Sequence, residues 1–252
     1  MAELPRTPSF RLDGKRALVT GAGRGLGVAC AAALGQAGAH VVAAARTAAE
    51  IEEVAAAIRA QGGSAEARVI DVHDPAAAVA ASGPVDILVN NAGTNRPAGF
   101  LDVTAEDFDA VMDLNLRAAF FVAQAVARGQ VEAGRGGSII HMSSQMGRVG
   151  GARRTVYCAS KHAIEGLTKA MALDLAPHRI RVNSICPTFI ETPLTRPYFE
   201  DPAFRADVLA RIKLGRLGRV EDLMGAVVFL ASDAAALMTG TALVIDGGWT
   251  AD

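Results

Sequence analysis

Short runs that are apolar from end to end recur along this chain, and most are followed by a stretch of helical character. The runs lie at 16–20, 40–45, 67–70, 85–90, 138–142, 179–186 and 242–245. Helical stretches fall at 25–37, 47–61, 104–133, 156–176 and 220–231. A strand exposed on one face alternates apolar and polar residues, whereas a strand covered on both faces does not. Strands of the second kind, interleaved with helices, predict a doubly wound α/β sheet of about seven parallel strands with helices on both faces. No internal repeat, low-complexity tract or Pro-rich linker interrupts the pattern, so a single Rossmann-type domain is expected over 1–252.

Punctuation supports these boundaries. Gly38 and Gly62-Gly63 are natural helix stops. Thr47 followed by Glu50 reads as a capping box at a helix start. The segment from Asp71 to Asp86 leaves room for only a brief helix. The long irregular stretch 187–202 carries four prolines, Pro187, Pro193, Pro197 and Pro202. It follows a strand, so it is expected over the carboxyl edge of the sheet, where open α/β sheets bind ligands. Together with residues up to about 215 it forms the expected substrate loop, since loops of this length are often lids.

The first strand runs into Thr20-Gly21-Ala22-Gly23-Arg24-Gly25-Leu26-Gly27. Glycines let the backbone turn tightly and approach a phosphate, and a helix N-terminus adds free N–H groups and a positive dipole end. The pattern is G-x-x-x-G-x-G, with Leu26 where the commoner dinucleotide motif has its last glycine.

Charge and cysteine usage exclude other classes. The 25 Lys plus Arg nearly balance 26 Asp plus Glu, which leaves no cation excess for binding nucleic acid. Only four of those cations are lysines: Lys15, Lys161, Lys169 and Lys213. With 51% hydrophobic residues the chain can build a core. Cys30, Cys158 and Cys186 are odd in number and have no C-x-x-C spacing, which fits a reducing compartment. No apolar run approaches the ~20 residues that span a bilayer. No apolar leader is visible near Met1. A soluble cytoplasmic protein that binds neither membrane nor metal is expected.

The motifs resemble, in order and spacing through nearly the whole chain, the short-chain dehydrogenase/reductase family. They are the glycine turn, Asn90-Asn91-Ala92-Gly93, Leu114-Asn115-Leu116, Ser144, Tyr157-x-x-x-Lys161 and Asp246-Gly247-Gly248. The resemblance implies a seven-stranded parallel sheet, NAD or NADP as cofactor, and a homotetramer or homodimer. Subunits of such proteins usually meet on the exposed faces of the two long helices, 104–133 and 156–176. On this reading Gly21, Gly23, Arg24, Gly25, Leu26 and Gly27 cradle the cofactor. Asp71 and Val72 face its adenine, and Asn91, Ala92 and Gly93 close the fourth strand over it. Pro187, Ile190 and Thr192 touch its nicotinamide end.

Charge chooses between the two cofactors. NAD-preferring folds place an acid at the end of the second strand to hold the ribose 2′-hydroxyl, whereas a 2′-phosphate calls for an Arg. Here Ala45 occupies the acid's place, Arg46 follows, and Arg24 lies within the glycine turn. NADP(H) is therefore expected, since the guanidinium fork matches phosphate oxygens.

Tyr157 and Lys161 are four apart and share one helix face. A free tyrosine titrates near ~10. A nearby ammonium is expected to lower that value and make Tyr157 an acid/base near neutral pH. The resemblance implies that Lys161 also holds ribose hydroxyls, that Ser144 hydrogen-bonds the substrate oxygen, and that Asn115 holds a water of a proton relay. Cys158 and His162 lie off that face and read as packing residues.

Substrate selection is expected from Asn95, Arg96, Gln145, Arg153, Arg154, Thr188, Phe189, Arg196 and Tyr198. Several arginines around one mouth predict an anionic substrate. Two branches of the family look most similar, the 3-oxoacyl-carrier-protein reductases and the gluconate 5-dehydrogenase-like sugar-acid enzymes. Reduction of a 3-oxoacyl thioester is the first expectation, and sugar-acid dehydrogenation is the alternative. A non-catalytic NADP-binding sensor would be expected to have lost the Tyr/Lys pair. The family's Pro-Gly after the sixth strand is here Pro187-Thr188, which predicts a stiffer entry to the loop.

Overall fold

The computed structural model describes residues 3–251. Its strands are β1 (Arg16–Thr20), β2 (His40–Ala45), β3 (Ser64–Val69), β4 (Ile87–Asn90), β5 (Gly137–Met142), β6 (Ile180–Pro187) and β7 (Ala242–Ile245). They form one sheet in the order β3-β2-β1-β4-β5-β6-β7, and every pairing is parallel. The order reverses between β1 and β4. The crevice beyond their carboxyl ends is the place where such sheets bind ligands.

The helices are α1 (Leu26–Gln36), α2 (Ala48–Ala60), α3 (Pro75–Ser82), α4 (Ala105–Met112), α5 (Ala119–Ala133), α6 (Thr155–Leu175), α7 (Pro202–Arg211) and α8 (Glu221–Ala231). Successive strand residues point to opposite faces, and here both faces are covered. Val19, Val41, Ile140 and Ile185 join a core with Leu34 of α1, Ile51 of α2 and Val227 of α8. Their neighbours Leu18, Val42, Ile139 and Val182 join a second core with Val122 and Val126 of α5 and Ala172 of α6. This two-sided burial explains why the strands read as unbroken apolar runs. Truncating one such fully buried Leu or Ile to Ala costs ~2–5 kcal/mol.

Three local expectations are corrected. Strand β3 starts at Ser64, earlier than its apolar residues suggest, because it is an edge strand. Its polar Glu66 pairs with Arg16 and Arg68. The loop 187–202 is followed by α7, which the sequence left unassigned, and it includes a 3₁₀ turn over Arg196–Glu200. Thr47 does cap α2 by position, but no capping box forms. Its side chain makes no cap hydrogen bond, and Glu50 turns toward the glycine loop instead. A Cβ at Gly23 would lie 2.6 Å from Glu50 Oε2.

The long helix expected over 104–133 is found, as α4 running on into α5. It is continuous, passing through a π-helical turn at Asp113–Ala118. By length and composition Ala105–Ala133 could cross a membrane, although no unbroken apolar run marks it. Its hydropathy comes from Val, Leu and Ala broken by Asp113, Asn115 and Arg117. One side is packed on the sheet through Val122, Ala123, Val126 and Ala127.

Beyond β6, Val208, Ile212 and Leu217 make a small separate apolar cluster, against which Phe189, Phe199, Phe204 and Trp249 pack. The substrate loop therefore has a core of its own above the carboxyl edge. Asp246 anchors the chain where β7 ends, accepting from the backbone N–H of Gly248 and Thr250 and from the Thr250 hydroxyl.

Candidate active site

The end of β5, the π-helical turn between α4 and α5 and the first turns of α6 carry the four residues expected to act on substrate. Tyr157 and Lys161 sit one turn apart on α6. The Lys161 ammonium lies 5.6 Å from the centroid of the Tyr157 ring and donates to the carbonyl of Met142, the last residue of β5, at 2.9 Å. Ser144 follows that strand and is buried. Its hydroxyl donates to Gln145 Oε1 at 2.8 Å and accepts from the Met146 N–H at 3.1 Å.

Asn115 lies within the π turn, an irregularity often found at functional sites. Both ends of its amide are used. Its Nδ2 donates to the Thr94 carbonyl at 2.9 Å and to Ser160 Oγ at 3.1 Å, while Oδ1 accepts from the Thr94 N–H at 2.7 Å. The side chain thus locks the segment after β4 to α6 immediately beside Lys161. Thr94 and Ser160 were not anticipated, although Ser160 is the sequence neighbour of Lys161.

Burial governs the electrostatics. It pushes Lys161 down to about 8, against the opposing pull of Cys186 and Glu165. Burial also raises Tyr157 above its ordinary value, while the Ser144 hydroxyl and the Arg154 charge act the other way. The expectation that the ammonium lowers Tyr157 is corrected. Desolvation of the phenolate outweighs the neighbouring charges, and the ammonium lies over the ring while bonded to a carbonyl. Tyr157 consequently keeps its proton at neutral pH.

On the other side of the crevice the glycine turn is stapled to the end of β4. Thr20 Oγ1 accepts from the Asn91 and Ala92 N–H groups at 3.0 and 3.1 Å. Asn91 Nδ2 reaches the carbonyls of Thr20 and Gly21. A Cβ at Gly27 would meet the Gly21 carbonyl oxygen at 2.1 Å, so this crossing admits no side chain. Gly25 caps α1 at φ 59° with no side-chain cap bond, leaving the first N–H groups of the helix available to a ligand. Leu26 opens α1, and Gly93 lies against Asn115.

Thr192, buried on the loop after β6, faces Gly25. A Cβ there would lie 3.6 Å from it. Pro187 ends β6, and Ile190 is bridged to Gly218. Arg24 and Arg46 are exposed, and neither makes an ion pair or hydrogen bond among the described residues. Asp71 accepts from the N–H and ring of His73, with half-buried Val72 beside it.

The residues expected to meet substrate divide. Arg96 is committed elsewhere, paired with Asp107 at 2.8 Å and Glu106 at 3.6 Å. Arg196 and Arg153 are exposed. His162, expected to pack, is also exposed, with its ring against the Cys158 carbonyl at 2.9 Å. By contrast Asn95 Oδ1, Gln145 Nε2 and Thr188 Oγ1 are buried without partners. They follow β4, β5 and β6 in turn. Tyr198 lies half-buried against Phe204, and Arg154 lies over both rings.

Known proteins are similar to this chain over nearly their whole length. A family model described as enoyl-(acyl carrier protein) reductase matches residues 21–250. L-xylulose reductase from Bos taurus is 43% identical over 245 residues, 96% of this chain and 99% of that protein. Gluconate 5-dehydrogenase from Gluconobacter oxydans is 40% identical over 250 residues, 96% of each. A solved gluconate 5-dehydrogenase from Burkholderia cenocepacia, in complex with NADP and tartrate, superposes with a TM-score of 0.93. That structure is 40% identical and covers 98% of this chain and 99% of its own. With its Tyr/Lys pair, its glycine turn and these near-complete matches, this chain belongs to the short-chain dehydrogenase/reductase family of NAD(P)-dependent oxidoreductases.

Proposed function

We propose that this protein interconverts a ketone and a secondary alcohol of a sugar or sugar derivative, with NADP(H) as its cofactor. The observation that carries the substrate class is the set of unpartnered polar atoms on Asn95, Gln145 and Thr188. Buried polar atoms without partners are rare in folded proteins and call for an explanation. These three belong to the segments that follow β4, β5 and β6, as Ser144 does after β5, and the hydroxyls of a polyhydroxylated ligand would satisfy them. A long acyl chain would leave them bare. The full-length relatives named above act, by their names, on a ketose and on a sugar acid. Both lines of support favour the sugar branch over the 3-oxoacyl thioester expected first.

The glycine cradle fits a dinucleotide. Its backbone crossing excludes any Cβ at Gly27, and the uncapped start of α1 presents N–H groups to a pyrophosphate. Arg24 and Arg46, neither in an ion pair among the described residues, would take a 2′-phosphate. When bound, the nicotinamide supplies or accepts the hydride.

The residues of the chain handle the proton. Tyr157, which keeps its proton at neutral pH, would give it to the carbonyl oxygen during reduction and take it back during oxidation. Ser144 would hold the same oxygen by a hydrogen bond. Lys161 adds positive charge behind the phenol, and Asn115 holds the segment after β4 in place beside it. The exposed faces of α4, α5 and α6 would carry the contacts of a homodimer or homotetramer. Phe108, Phe120, Phe121 and Leu173 are exposed there.

Comparing NADPH oxidation with 5-ketogluconate, L-xylulose and an acetoacetyl thioester tests the reading. Turnover of a sugar ketone with little on the thioester is expected. Preference for the thioester would overturn the substrate class, and preference for NADH would overturn the cofactor.

A further inference from the structure

Arg154 occupies the N-cap position of α6, three residues before Tyr157. It is 8% exposed, and three aromatic rings cover its guanidinium. Phe189 and Tyr198 lie 5.7 Å from it, and Phe204 lies at 5.9 Å. All three rings come from the substrate loop and α7. Aromatic rings of this kind supply no hydrogen-bond acceptor in the plane of the guanidinium N–H donors.

Among the described residues no carboxylate pairs with Arg154 and no acceptor takes its side-chain N–H groups. Other partly buried arginines are provided for. Arg16 meets Glu66 and the Ser82 carbonyl. Arg181 donates to the carbonyls of Leu230 and Ser232. Arg154 also sits at the positive end of a 21-residue helix, an unfavourable place for a cation and a favourable one for an anion. A buried cation without a counter-charge is costly, and burial pulls the guanidinium below its ordinary value.

We propose that Arg154 binds the carboxylate of the substrate, which makes that substrate a polyhydroxy acid or its keto form rather than a neutral sugar or polyol. This deepens the proposed oxidoreductase reading and rests on it. The forked donors of an arginine match a carboxylate's two oxygens. The donor set fits the same division of labour. One cation meets one carboxylate, while the neutral polar atoms of Asn95, Gln145 and Thr188 meet hydroxyls. The other arginines near the mouth do not compete, because Arg96 is neutralised by Asp107 and Arg196 is exposed.

Calorimetry on NADP⁺-loaded protein tests this, with D-gluconate and its neutral counterpart D-glucitol as probes. The Tyr157→Phe background removes heat from turnover. Gluconate is expected to bind at least about tenfold tighter than glucitol. Adding Arg154→Met, which keeps an apolar stem among the rings, is expected to abolish that preference and leave glucitol binding unchanged. Arg154→Lys is expected to restore part of it, and circular dichroism checks that each variant folds. Equal binding of the two probes overturns the proposal, as does failure of gluconate to bind. An equal loss of both in Arg154→Met would mean that Arg154 only braces the loop, which also overturns it. Turnover is a separate readout. Failure of every sugar ketone to oxidise NADPH with Tyr157 intact would remove the oxidoreductase reading, while the calorimetric preference would still report the anion site.

Discussion

The glycine turn between β1 and α1 offers its ligand backbone, whereas the loop after β6 offers side chains held by one another. At the turn, position is set by crossings too close for any Cβ, such as Gly27 against the Gly21 carbonyl, and by Thr20 and Asn91 bonding to main chain. Above β6, position is set by Phe189, Phe199, Phe204 and Trp249 packing into a small core, with Arg154 among the rings. A backbone cradle recognises what dinucleotides have in common, while packed side chains can differ between relatives on one scaffold. On the proposed function, affinity for cofactor and choice of substrate are thereby separated within one crevice.

The sharpest attempt to break that separation is Tyr157→Phe. Removing a positioned general acid is expected to lower kcat by about 10³, with NADPH binding, followed by fluorescence, unchanged within about twofold. If NADPH binding falls in step with kcat, the two sides of the crevice are not independent.

Gly27→Ala addresses the cradle instead. Its Cβ would lie 2.1 Å from a carbonyl oxygen, so the turn must shift. Overpacking of this kind costs about 1–3 kcal/mol, to be read from urea unfolding, and NADPH affinity is expected to fall with it. A variant of wild-type stability and affinity would show that the crossing is not rigid.

Arg46→Ala is expected to raise the KM for NADPH by about tenfold, the scale of one charge-assisted phosphate contact, while leaving the KM for NADH unchanged. A parallel rise for both cofactors would remove the 2′-phosphate role.

The mildest test lies behind the site and is silent at neutral pH. His141 on β5 is 1% exposed, neither ring nitrogen has a partner, and burial holds it down to about 4 from 6.5. The folded protein thus binds this proton less tightly than the unfolded chain. The contribution is fully present above pH 6.5 and is lost as pH falls toward about 4. Urea midpoints measured between pH 7 and pH 4.5 should fall more steeply for the wild type than for His141→Leu, and parallel curves would refute the assignment.

Much of this was legible in the amino-acid order. Strands β1, β2 and β7 begin and end where their apolar runs do; β1 and β2 are buried on both faces, and β7 stays apolar although it is a part-exposed edge strand. The edge strand β3 was harder to place, since Glu66 and Arg68 pair along it and break the apolar signal. The Tyr/Lys pair and the glycine turn are local spacings, and local spacing survives folding unchanged. The expected capping box failed for the opposite reason. Glu50 found the glycine turn, a contact that no short-range pattern encodes. Counting arginines near the mouth could not tell Arg96, neutralised by an acid eleven residues on, from Arg154, enclosed by rings up to fifty residues away.

By itself the sequence determined the doubly wound sheet, the glycine turn and the spacing of the Tyr/Lys pair. Those depend on periodicity, on glycines where a Cβ cannot fit, and on groups one helical turn apart. Only the tertiary structure decided which charges stay free, because a charge's availability depends on what folding brings within about 4 Å of it. It likewise decided that burial, rather than the neighbouring ammonium, governs the proton on Tyr157, since desolvation is a property of the whole packed environment and not of any spacing.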